Sequence, residues 1–124
     1  MKIEISPGEL FDKLTILEIK LERIAEPAKR LHLEREYKEL CRARAEVAEG
    51  EVAPLLAELK QVNATLWRIE DELRGHERRQ DFGPAFVELA RSVYFNNDRR
   101  VAIKRAINQR LGSSLVEEKS YTAY

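Results

Sequence analysis

The chain is poor in the residues that usually advertise chemistry. Cys41 is its only cysteine, which excludes an intrachain disulfide and a cysteine-rich zinc site. His32 and His76 are its only histidines and stand too far apart for metal-ligand spacing. No serine, histidine and acid combine into a nucleophilic constellation, and no phosphate loop or dinucleotide fingerprint occurs. No apolar run approaches the ~20 residues that span a bilayer. The opening MKIEISPGEL lacks the apolar core of a secretory signal, so a cytoplasmic protein is expected. Charge of one sign is missing as well. The 22 basic and 22 acidic side chains cancel, which argues against a general nucleic-acid binder. No cofactor is expected.

What remains is helix-forming sequence. The 124 residues suffice for a single domain with one modest core, spanning 1–124. Lys2 to Ile5 alternates polar and apolar, which predicts a short strand or extended arm. Ser6, Pro7 and Glu9 then make a helix start with the spacing of a capping box. Leu10, Leu14, Leu17, Leu21 and Ile24 form the first apolar seam, and Glu26-Pro27 ends it. A second helix, from about Ala28 to Ala48, has only a narrow apolar edge and belongs on the outside, with Gly50 as its stop. A third runs from Pro54 to Arg74 or Gly75 on the seam Leu55, Leu59, Val62, Leu66, Ile69 and Leu73. A fourth starts at Asp81 or Gly83 with Pro84. At Asn96-Asn97-Asp98 it either restarts, capped by an asparagine, or bends and continues to Gly112. The pattern predicts an all-α bundle of four to five helices, some long, with a docked C-terminal tail that closes over the first and third helices. Seams near heptad spacing suit shallow antiparallel packing. Long thin bundles bury second faces by pairing, so a homodimer is expected.

Beside these seams run stripes of polar residues. Asn63, Trp67, Glu70 and Arg74 recur at helical spacing in the third helix. Asn97, Arg100, Lys104 and Asn108 do so in the fourth, and Glu9 and Lys13 in the first. Asparagine is a poor helix former, so its place in a helix needs a reason. Such stripes suggest a polar site between helices. An aromatic wall at Trp67 beside Glu70 and Arg74 has the composition of a small-molecule site, although an exposed i,i+4 ion pair explains the last two equally well. Arg100 and Lys104 could clamp a carboxylate or phosphate, aided by freed amides if Asn97 caps a helix. Glu9, Asp12 and Glu18 could meet as carboxylates around Mg²⁺. No Glu-x-x-His pattern accompanies them, and capping and surface pairing account for Glu9 and Asp12, so no metal is expected. Lys119 and Tyr121 place ligand candidates in the tail.

The stretches SPGELFDKLTILEIKLERI, LWRIEDELR and VYFNNDRRVAIKRAINQRLGSSLVEEKSY resemble a bacterial family of small proteins of unknown function. That family opens S-P-G-E-L-x-D-K-x-T-I-L-E-I-K and ends E-E-K-S-Y. Glu9, Asp12, Lys13, Trp67, Glu70, Asn97, Lys104, Asn108, Lys119 and Tyr121 fall on its pattern. The resemblance implies a setting in cell-surface polysaccharide metabolism. A looser likeness, in architecture and residue type only, is to the all-helical chorismate mutases, although their opening of repeated Ile-Asp pairs with an inward arginine is not cleanly matched. Two functions follow as expectations. One is a site for an anionic small molecule (a sugar phosphate, nucleotide sugar or carboxylate) held by Arg100 and Lys104. The other is a non-catalytic scaffold that docks onto an enzyme partner.

Overall fold

A computed structural model describes residues 1–124. Four helices follow one another with no strand: α1 (Pro7–Arg23), α2 (Pro27–Arg44), α3 (Ala53–Arg79) and α4 (Pro84–Arg110). A 3-10 turn, Glu49–Val52, leads into α3. The all-α bundle is as the seams require, but Lys2 to Ile5 forms no strand, because a lone strand has no neighbour to pair with. Gly50 lies inside the 3-10 turn rather than stopping α2.

Ser6 caps α1 as its position suggests: its Oγ accepts the Glu9 N–H at 3.2 Å, with Pro7 at the first helical position. At the other end Arg30, from the first turn of α2, donates to the carbonyls of Leu21 and Ile24 at 2.6 and 3.0 Å. One guanidinium thus satisfies two acceptors that the helix terminus would leave open.

Helix α1 is the hub. It packs against α2 on one side and against the α3–α4 pair on the other. Leu10, Phe11 and Leu14 meet Val52, Leu59, Val62, Ile103 and Ile107 in a single core. Helix α2 contributes no fully buried residue. Its Tyr37, Leu40 and Cys41 lie half-buried on the core's edge.

Helix α2 stops at Arg44, short of Ala48, and the end of α3 differs from the sequence pattern as well. Helix α3 ignores Gly75 and continues to Arg79. His76 is the reason: it is buried, its Nδ1–H donates to the Asp81 carbonyl at 3.0 Å, and its ring meets Phe86 edge-on. The stop falls at Gln80, in the left-handed conformation with φ 54°. There the Gln80 N–H reaches the Glu77 carbonyl and the Asp81 N–H the His76 carbonyl, the double closure of a Schellman motif. Helix α4 runs unbroken through Asn97. Asn96 donates its Nδ2 to the Ser92 carbonyl at 2.8 Å, bonding back along its own helix rather than capping a new one.

Candidate functional site

The polar stripes of α1, α3 and α4 meet where those helices cross. Asp12 is 2% exposed and stands at the centre. Arg100 grips it in bidentate fashion, Nε to Oδ1 at 2.8 Å and a terminal nitrogen to Oδ2. Asn63 Nδ2 donates to the same Oδ1 at 2.9 Å and to Thr15 Oγ1 at 3.0 Å. The Thr15 hydroxyl in turn donates to the Asp12 carbonyl at 2.9 Å. Lys104 lies one helical turn from Arg100, with its side chain 7% exposed. Its Nζ is 2.8 Å from Glu9, 2.8 Å from Glu117 and 3.9 Å from Asp12. Lys119 reaches Glu117 at 3.6 Å.

Two carboxyls in this cluster titrate low. Burial alone would push the Asp12 carboxyl up. The hydrogen bonds from Arg100 and Asn63 and the charges of Arg100 and Lys104 outweigh burial and hold it below the usual carboxylate range. Lys104, conversely, is opposed by desolvation, but its contacts with Glu117 and Glu9 raise it. The Lys104 hydrogen bond likewise lowers Glu117.

Close packing makes the junction possible. The Gly8 N–H donates to Asn108 Oδ1 at 2.7 Å. A Cβ on Gly8 would stand 2.6 Å from the Lys104 carbonyl oxygen and 2.9 Å from Asn108 Oδ1. Only glycine lets α1 approach α4 this closely.

Of the residues the stripes nominate, Glu9, Asp12, Asn63, Arg100, Lys104 and Asn108 converge here. Asp12 is not the surface residue its spacing suggested, because Arg100 and Lys104 compensate its burial. The others lie elsewhere. Lys13 is exposed. Trp67 is half-buried beneath the Arg23 guanidinium, 6.0 Å from its ring centroid. Glu70 and Arg74 form an outward ion pair at 3.7 Å. Asn97 provides no helix N-terminus and hence no freed amides for an anion, since α4 is continuous. Three contributors, Gly8, Thr15 and Glu117, were not among the nominated set. Gly8, in the first turn of α1, is the one of them whose residue type could have flagged a close approach.

Asn97, Lys119 and Tyr121 instead line a groove of about 1270 Å³ between the outer face of α4 and the C-terminal segment. Tyr94, Tyr124 and Arg105 complete its polar and aromatic walls. The segment's polar contacts run to α4 rather than over α1 and α3. Arg105 donates to the Glu117 carbonyl at 3.0 Å and to the Glu118 carboxylate at 3.2 Å, and Tyr124 donates its hydroxyl to Asp98. The rings of Tyr94, Phe95 and Tyr124 pack in tilted and edge-on contacts with centroids 4.9 to 5.4 Å apart. No three His, Cys, Asp or Glu side chains stand together in a metal-holding group.

A family model for proteins of unknown function, DUF6165, matches residues 1–124. The chain belongs to the DUF6165 family. No curated protein and no solved structure matches it. No helix of this DUF6165 member is long and apolar enough to cross a membrane.

Proposed function

We propose that this chain is a ligand-binding module whose site is the groove between α4 and the C-terminal segment. The ligand class is an anionic small molecule with a ring, such as a sugar phosphate or nucleotide sugar. The groove's composition carries the reading. Arg105 and Lys119 bring two cations whose ion pairs, with Glu118 at 3.2 Å and Glu117 at 3.6 Å, lie in partly exposed surroundings and yield to an anion at lower cost, and Tyr94, Tyr121 and Tyr124 offer aromatic faces. Arg100 and Lys104 suit the anion less well. Asp12, Glu9 and Glu117 already neutralise them, so an incoming anion would have to displace a buried carboxylate. The junction serves as the frame: it fixes α4 against α1 and α3, and through Glu117 it ties down the segment that walls the groove.

Calorimetric titration with a uridine diphosphate sugar and with a sugar phosphate tests this. Saturable binding is expected, weakened about tenfold or more in Lys119→Ala, the loss of one charge-assisted contact. Tyr121→Ala should weaken it further. Absence of saturable heat, or an affinity in both variants equal to that of the unaltered chain, overturns the reading.

One observation favours a second reading, a non-catalytic scaffold or homodimer. Val87, Tyr94 and Phe95 recur at i, i+7 and i+8 on α4 and are all exposed. Sedimentation equilibrium distinguishes it. A dimer that Phe95→Asp dissociates supports it, and a monomer at every concentration removes the self-association.

A further inference from the structure

Residues 1–5, ahead of α1, carry no secondary structure, and none of their N–H or carbonyl groups enters a backbone hydrogen bond within the chain. Their sequence nonetheless has the period of a strand. Met1, Ile3 and Ile5 alternate with Lys2 and Glu4, and isoleucine, being β-branched, suits a strand. All five side chains are exposed, Ile3 at 77%. An arm with open backbone groups and one apolar face is a template for pairing with another chain.

The order of its charges selects what pairs with it. A second copy laid antiparallel, Ile3 opposite Ile3, sets Lys2 opposite Glu4 twice and Met1 opposite Ile5 twice. Directly opposite residues share a face of the pair. Apolar side chains then meet on one face and opposite charges on the other. A slip of one residue puts apolar side chains opposite charged ones. A slip of two puts Lys2 opposite Lys2, or Glu4 opposite Glu4, and a parallel pairing in register does both. One register satisfies both patterns, and it has the two-fold symmetry of a homodimer interface.

A two-stranded ribbon alone is marginal in water, so its apolar face needs cover. The bundle offers it at the foot of the arm. The Gly8 and Ser113 N–H groups both reach Asn108, and Glu9 and Glu117 share Lys104. Residues 113–117 therefore stand beside the start of α1, and Leu115 and Val116 are exposed there. We infer that residues 1–5 are an interaction surface for a second copy of this chain: the two arms pair as an antiparallel ribbon about Ile3, with its apolar face over Leu115 and Val116. The inference rests neither on the groove nor on the α4 face. The arm adjoins the last turns of α4, whereas Val87, Tyr94 and Phe95 lie in its first half.

Sedimentation equilibrium of the whole chain tests it. The arm forms no part of the core, so its variants leave folding aside. The unaltered chain is expected to dimerise. Lys2→Glu should weaken the dimer about tenfold, because two attractive cross-strand pairs become repulsive, and Glu4→Lys should do the same. The double variant, Lys2→Glu with Glu4→Lys, should recover the dimer, which two independent losses would not. In a chain also carrying Cys41→Ser, Ile3→Cys should crosslink the copies on mild oxidation, since directly opposite Cα atoms about 4.5–5.5 Å apart suit a disulfide. A monomer at every concentration overturns the proposal and leaves the arm for the sheet edge of another protein. A dimer that no arm variant weakens, and that Phe95→Asp dissociates, overturns it in favour of the α4 face. Weakening in both single variants without recovery in the double overturns it as well.

Discussion

Asp12–Arg100 and Glu70–Arg74 are the same chemistry in two surroundings. Each pairs a carboxylate with a guanidinium on helices that also carry apolar seams. Asp12 is 2% exposed, held bidentate across two helices and braced by Asn63. Glu70 and Arg74 are 55% and 80% exposed, four residues apart on one helix, at 3.7 Å. The difference comes from the lengths of the helices around them. Helices α3 and α4 have 27 residues each and α1 only 17. The last residue of α1, Arg23, lies over Trp67. Beyond that point α3 has no third helix to cover it, so its polar stripe turns from an interior network into a solvated face. Burial, not residue type, decides which of the two pairs matters.

The strongest way to break this contrast is to remove the buried carboxylate. Asp12→Ala should cost about 3–5 kcal/mol, because Arg100 and Lys104 are then left without their shared partner; denaturant titration reads it directly. The same group sets an acid limit. The unfolded chain takes up this proton near pH 4, while the folded chain holds it off to lower pH. Stability from Asp12 is therefore present above about pH 4 and lost as pH falls through the folded value, and Glu117 adds to it in the same direction. Asp12→Asn should flatten the acid limb of a stability–pH curve.

Gly8→Ala comes next, at about 1–3 kcal/mol, since the new Cβ meets the backbone carbonyl of Lys104 and α1 must shift. Its crystal structure should show α1 displaced from α4. Glu117→Gln, half-buried against Lys104, should cost about 1 kcal/mol. Its clearer sign should be faster hydrogen exchange in residues 115–124, with exchange in α1 unchanged. Arg74→Ala sharpens the comparison from the other side. It should move stability by no more than about 0.5 kcal/mol.

Much of the junction was legible because its residues were odd in helices. Asn63 and Asn108 disfavour the helices that hold them, and both prove to be buried and bonded across the bundle. The four-helix order followed from seams and proline starts in the same way. Trp67, Glu70 and Arg74 share that spacing, yet Trp67 is half-buried at the end of α1 and the other two face outward, because periodicity on one helix cannot report where its neighbour ends. The run of α3 past Gly75 was hidden for a similar reason: the packing of His76 against Phe86 lies outside any local signal. Glu117 gave no sign of joining Lys104, since the pairing depends on where an irregular segment returns.

A double-mutant cycle on Asp12 and Arg100, run beside one on Glu70 and Arg74, tests the central claim most directly. The account predicts a coupling above about 1.5 kcal/mol for the buried pair and below about 0.5 kcal/mol for the exposed pair. Equal couplings would contradict it, and would mean that the junction is no more than another solvated face.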